Sequence, residues 1–182
     1  MKKRDVCGAI VLLVYLMGVG LVTGPSLYQL LVGRLPEPKL ELIPFVDICK
    51  VITDSIANHH GAGITLNIFG NILLFVPLGF LLPLFWRYFG RAKRTILFEF
   101  GVSLSIELIQ IIAGGVTSVD DLLLNTAGAA VGFALAKLLL RACPRLAPKR
   151  QGGAQRAYPL ACWVAVILLA TVSDMLTLGL IW

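Results

Sequence analysis

Apolar residues occur along this chain in long runs, not in strict alternation or in narrow stripes. Five runs stand out: Val6 to Thr23, Ile64 to Trp86, Thr95 to Ala113, Leu122 to Leu140 and Leu160 to Trp182. Crossing a hydrocarbon core roughly 30 Å thick at about 1.5 Å per residue takes about 20 mainly apolar residues, and each run approaches that length. Only helices and closed barrels satisfy their backbone groups in lipid, and the period-2 alternation of barrel strands is missing. The pattern therefore predicts an all-α fold, a polytopic integral membrane helical bundle of about five transmembrane helices, forming one membrane domain over residues 1–182.

Two stretches interrupt the runs. In residues 40–58, Phe45, Ile48, Ile52 and Ile56 fall near one helical face, with Asp47, Lys50 and Asp54 among the polar positions and Pro44 suited to a first turn. This predicts a short external amphipathic helix, lying on the membrane surface or packed as a lid over the bundle. Residues 141–159 mix Pro144, Pro148, Gly152 and Gly153 with basic side chains and read as a cytoplasmic linker ahead of the last span, 160–182.

Composition agrees: 58% of residues are hydrophobic and 14% charged, against roughly 45–50% and about 25% in soluble domains. A net charge of +6 would suggest nucleic acid in a soluble domain, but here the basic residues sit between the apolar runs, so no nucleic-acid partner is expected. Lys2, Lys3 and Arg4, then Arg87, Arg91, Lys93 and Arg94, then Arg141, Arg145, Lys149, Arg150 and Arg156 fall on one side of a five-span chain. Acidic residues concentrate in the alternate connections, as at Asp120 and Asp121. Since Lys and Arg stay in the cytoplasm, the N-terminus is expected inside and the C-terminus outside, with Trp86 and Trp182 as interfacial aromatics. A cleaved signal peptide competes with the first span, whose apolar run exceeds the roughly 7–15 residues of a signal core. Cys7, Cys49, Cys143 and Cys162 show no CxxC or zinc spacing and read as small, mostly buried residues.

Polar residues inside the runs carry the candidate chemistry, because an ionisable group there costs about 2.5–3.5 kcal/mol unless it has a partner or a task. Glu99, Ser103, Glu107 and Gln110 share a stripe of roughly 80° on the third span. The fourth opens with Asp120, Asp121 and Asn125, followed by Gly128 and Gly132 at a spacing that suits close helix packing, including a homo-oligomer. The second carries Asn67 and Asn71, then Pro77 and Pro83, which are expected to kink it. Alternating topology brings Asn67, Asn71, Glu107, Gln110, Asp120, Asp121 and Asn125 to one depth, a polar, acidic pocket opening to the outer leaflet, which Asp174 is placed to join. Three carboxylates there repel unless protonated, hydrated or bridged by a cation. The structural alternative is that these groups only hydrogen-bond one another and lock the bundle. Glu99, close to Lys93 and Arg94, reads as an interfacial ion-paired residue, and His59 and His60 as solvated loop residues.

The blocks NIFGNILLFVPLGFLLP, SLSIELIQ and VDDLLLNTAGAAVG, with ELIPF upstream, resemble the VanZ-like family in order and spacing over residues 43–140. The motif residues carried over are Asn67, Asn71, Pro77, Gly79, Glu107, Gln110, Asp120, Asp121, Asn125 and Gly128. Many members of that family have Gly-Arg and a further Asp before the paired aspartates, where this chain has Gly114, Gly115 and Ser118. That departure leaves the acidic cluster less neutralised. The resemblance implies a multi-pass protein of the bacterial cell membrane, and the family is named for one associated with resistance to teicoplanin.

The preferred expectation is a non-enzymatic envelope protein whose pocket binds membrane lipids by their headgroups, a lipid-linked envelope precursor or a lipophilic glycopeptide. An intramembrane enzyme using its carboxylates on a lipid, with or without a metal, is the alternative; no nucleophile or HExxH site supports it, so no catalytic residue, metal or cofactor is assigned. A small transporter is the third reading, disfavoured by the lack of an internal repeat.

Overall fold

A computed structural model describes residues 3–23, 37, 39–46, 49, 53, 62–112, 116–148 and 157–179; among these, side chains at 3, 21–23, 62–67, 112 and 169–179 are excluded. Five long helices account for most of them: α1 (Lys3–Thr23), α2 (Ala62–Phe85), α3 (Ala92–Ile112), α4 (Val119–Ala142) and α5 (Ala157–Gly179). Each covers one of the five apolar runs within a few residues at either end. Two three-residue strands, β1 (Lys39–Glu41) and β2 (Val116–Ser118), pair in parallel, with Leu40 opposite Thr117. The all-α expectation holds, and this small ladder is the addition to it.

Local chemistry sets the helix ends. Ser118 adopts an extended conformation and its Oγ accepts the Asp120 N–H, a side-chain N-cap for α4, while Asp120 and Asp121 in the first turn complement the positive end of the helix dipole. Pro144 follows the α4 terminus and opens a short 3₁₀ turn, Pro144–Leu146. Between α2 and α3 the chain reverses through a second 3₁₀ turn, Arg87–Gly90, latched where Thr95 Oγ1 donates to Phe89 O at 2.7 Å. Helix α2 continues through Pro77 and Pro83.

Helices α2 and α4 share the most extensive contact in the fold. A Cβ at Gly128 would overlap the Ile72 carbonyl oxygen, one at Gly132 that of Val76, and one at Gly79 that of Ala129. The pairs Ile72–Gly128 and Val76–Gly132 advance together, so α2 and α4 run parallel, with α3 returning between them in sequence. This glycine face, expected to suit close helix packing, packs against α2 of the same chain. Helix α1 packs against α5 and α2, and the apolar core joins Leu12, Leu16, Phe75, Leu82, Trp86, Ile106 and Trp163. Trp86 is wholly buried, which corrects its reading as an interfacial aromatic.

Burial is inverted relative to a water-soluble bundle. Thr95, Glu99 and Ser103 are fully buried, whereas Val14, Leu73, Leu97, Leu138 and Leu168, one from each helix, are more than half exposed. Among the described residues, two helical segments, Ile68–Phe85 and Val119–Ala142, are long and apolar enough to cross a membrane.

One end of the bundle is basic. There the Arg4 guanidinium donates to the carbonyls of Leu84, Leu146 and Ala147, tying the start of α1 to the end of α2 and the exit of α4. These are end-of-helix and turn carbonyls that lack a helical partner or share it. Arg4→Ala is expected to cost about 1–2 kcal/mol and lower the apparent thermal midpoint of the purified protein by roughly 2–8 °C. Arg4→Lys, which cannot reach three carbonyls in a fork, should recover only part of the loss; an unchanged midpoint in Arg4→Ala would show that these bonds contribute nothing.

Candidate functional site

The opposite end gathers the acidic residues. Parallel pairing of β1 with β2 draws the segment before α2 across the junction between α3 and α4. The closure is completed by carboxylates that accept backbone donors. Glu107 Oε2 accepts the Ser118 N–H at 3.1 Å, and the Glu107 carbonyl takes the Thr117 hydroxyl at 3.2 Å. Asp120 Oδ1 accepts the Phe45 N–H at 2.5 Å. Phe45 itself is left-handed, with φ 67°, directly after Pro44. Proline at the second position and positive φ at the third are the requirements of a type II turn, in which a side-chain-bearing residue at the third position costs energy.

Asp121, one residue along α4, points elsewhere: its Oδ1 accepts Asn71 Nδ2–H at 2.5 Å, linking α4 to α2. Glu107 and Asp121 lie within electrostatic reach of each other. Asn125, a turn deeper on α4, donates from Nδ2 to Ser103 Oγ at 2.8 Å and is buried, so it bridges α4 to α3 beneath the site. Gln110 lies half-buried on α3 beyond Glu107. The backbone of Asn67 belongs to α2, but its side chain lies outside the described residues, as do that of Asp174 and both His59 and His60.

The structure thus brings Asn71, Glu107, Asp120 and Asp121 to one end of three helices, with Asn125 below them. Glu107 and Asp120 are nearly inaccessible and each accepts a backbone N–H, while Asp121 is half-buried. A carboxylate has acceptor sites for about four hydrogen bonds. Asn71 and Asp121, both half-buried, are the more accessible members of the set. A shallow apolar groove of about 430 Å³ is lined by Ile43, Pro44, Phe45, Val46, Cys49 and Thr53, and Phe45 in its wall is the residue whose N–H Asp120 accepts. Among the described residues no three His, Cys, Asp or Glu side chains gather as a metal site.

Three features escaped the sequence reading. The external segment does not begin as a helix: residues 39–41 are a strand, and the left-handed turn at Phe45 precedes helical Val46, Cys49 and Thr53, where Phe45 O accepts the Cys49 N–H at 2.9 Å. Ile48, Ile52 and Ile56, which defined the expected apolar face, lie outside the described residues. Ser118 is the α4 cap, and a Ser two residues before an Asp-Asp pair was the available signal. Glu99 is not ion-paired at an interface: it is fully buried, neither carboxyl oxygen has a hydrogen-bond partner, and Arg94 instead lies 4.4 Å from the centre of the Tyr88 ring.

The VanZ/LLP1 family matches this chain over residues 8–140, which takes the resemblance upstream through α1. No curated protein and no solved structure matches it. A match over most of the chain, ending within α4 and taking in every member of the acidic site, places the protein: it belongs to the VanZ/LLP1 family.

Proposed function

We propose that the protein is a multi-pass protein of the bacterial cell membrane that binds, without turning over, the headgroup of a lipid or lipid-linked envelope precursor, or a lipophilic glycopeptide, at the outer leaflet. Its five helices cross the membrane, with the N-terminus inside and the C-terminus outside. The inverted burial supports this: in the Ile68–Phe85 and Val119–Ala142 windows only 28% and 33% is buried, far less than in the core helix of a soluble protein. An exposed apolar belt around an interior that also holds buried polar groups suits hydrocarbon as solvent. The segregation of charge, basic at the Arg4 end and acidic at the Asp121 end, follows the positive-inside rule.

The observation that supports the binding assignment is an acidic end, with the Asp121–Asn71 pair on α4 and α2, whose Asp120 is tied through the Phe45 N–H to the segment that forms the apolar groove at Ile43 to Thr53. Together they offer hydrogen-bond acceptors and charge to a donor-rich polar head and an apolar bed to an attached chain. An amphiphile has both halves. Native mass spectrometry of the purified protein tests this: a homogeneous lipid or lipid-linked adduct is expected on the wild type and lost in Asp121→Ala. A wild-type protein that carries no adduct above the background of bulk lipid would defeat the binding assignment. The glycopeptide version has its own readout: expression in a sensitive host should raise the teicoplanin concentration needed for inhibition, and Asp121→Ala or Glu107→Ala should remove the protection. No protection by the intact protein rejects that version alone.

A further inference from the structure

The polar stripe of α3 continues past the acidic site. Glu99 lies eight residues from Glu107, about 12 Å along the helix. It is fully buried, and neither Oε1 nor Oε2 has a hydrogen-bond partner. Midway between them, Ser103 is also fully buried and accepts Asn125 Nδ2–H at 2.8 Å, while Asn125 Oδ1 is buried without a partner. Three acceptor atoms on one helical turn of α3 and its neighbour on α4 therefore lack a donor.

Among the described residues, the surrounding helices place no cation against Glu99. Helix α1 brings the Tyr15 phenol within electrostatic reach of Glu99, but its hydroxyl is given to Leu74 O, and Asp5 lies nearly three turns away. Helix α2 contains no ionisable side chain. On α4, Asp121 engages Asn71 a turn beyond Asn125, and Lys137 reaches the Gly90 carbonyl at the opposite end. On α5, Cys162 faces Ala9 O, Tyr158 lies near the start of the helix and Trp163 donates to Ser105 Oγ. Along α3, Arg94 packs on Tyr88 and Glu107 holds Ser118.

A metal ion with a preference for oxygen would need about six ligands, twice the orphaned acceptors present. A proton needs no cavity and converts one acceptor into a donor. We propose that Glu99, Ser103 and Asn125 form a buried proton-binding site, distinct from the acidic site at the end of the bundle. Glu99 takes a proton from hydronium, leaving water, and holds it as a neutral carboxylic acid. Its O–H is directed to Asn125 Oδ1, on the amide whose N–H already holds Ser103 Oγ. The buried carboxyl is then neutral, and the orphaned Asn125 Oδ1 gains a donor from a group the chain already holds.

Infrared spectroscopy of the purified full-length protein reads this directly, because a neutral carboxylic acid has a carbonyl stretch that a carboxylate lacks. At neutral pH the wild type should show such a band, with the small downshift in heavy water that marks an exchangeable acid proton. Glu99→Gln should lose it and Glu107→Gln should keep it. Asn125→Leu should keep it at a shifted frequency, having lost the acceptor. That variant carries the test if Glu99→Gln does not fold. No neutral-acid band in the wild type at neutral pH would overturn the proposal, as would a band that survives in Glu99→Gln or is unmoved in Asn125→Leu. A band seen only when sodium is withdrawn would replace the proton by a metal ion and equally overturn it.

Discussion

Gly132→Leu is expected to abolish a monodisperse, folded protein, and Gly132→Ala alone to lower the apparent thermal midpoint by roughly 4–12 °C. A Cβ at Gly132 would overlap the Val76 carbonyl oxygen and lie 2.8 Å from the Phe80 nitrogen. Both are helix backbone atoms, so no side-chain rotation relieves the overlap and the helices must move apart. Inserting methylenes into packed interiors costs about 1–3 kcal/mol, and backbone contact places this site at or above the top of that range. Separation also weakens the equivalent approaches at Gly128 and Gly79, because all three belong to the α2–α4 seam. Gly101→Ala is the control: its Cβ would meet nothing within 4 Å, and in a helix the change should be neutral or stabilising by about 0.5–1 kcal/mol. Equal loss at Gly101 and Gly132 would mean that helix composition, and not close approach, sets stability. Chemical crosslinking adds a second reading, since a failure of Gly132→Ala confined to dimer formation would move the glycine face to an intermolecular contact.

The five helices were legible because apolar run length is a property of local sequence. Each predicted run coincides with an observed helix, and Gly128 and Gly132 announced close packing before their partner was known. What could not be read was which helix fills the glycine face, since spacing names a surface and not its neighbour. The same limit explains Glu99 and Trp86. Both stand near the basic turn in sequence, where Arg94 and Lys93 suggest a wet interface, yet both are fully buried. The β1–β2 pair was hidden for a different reason: three-residue strands about 75 positions apart leave no periodicity to detect. Convergence of Asn71, Glu107, Asp120 and Asp121 followed from alternating helix direction alone, whereas the division of labour among them required knowing where Phe45 and Ser118 lie.

That division yields the second large effect. Asp120→Ala should open the closure over the acidic end, raising hydrogen exchange in residues 39–46 and 116–118 by roughly 2- to 13-fold, the range set by the about 0.5–1.5 kcal/mol net worth of a hydrogen bond. The stranded group is the Phe45 N–H, and the turn that presents it already carries a left-handed phenylalanine. Left-handed backbone costs a side-chain-bearing residue about 1–2 kcal/mol, so the turn relaxes once its anchor is gone. Release propagates because the same short stretch holds the strand pair: Glu41 lies opposite Ser118, whose N–H is held by Glu107 and whose hydroxyl caps the Asp120 N–H. Phe45→Gly in the Asp120→Ala background should restore part of the protection, since glycine removes the strain that opposes the turn. Asp121→Ala should leave exchange over 39–46 unchanged while stripping the bound amphiphile, because its partner is Asn71 on α2. Slow exchange retained in Asp120→Ala would make Asp120 a ligand-facing acid instead of an anchor. Two adjacent aspartates on one helical turn point in directions about 100° apart, and that angle is what lets Asp120 hold the Phe45 N–H while Asp121 holds Asn71 on α2.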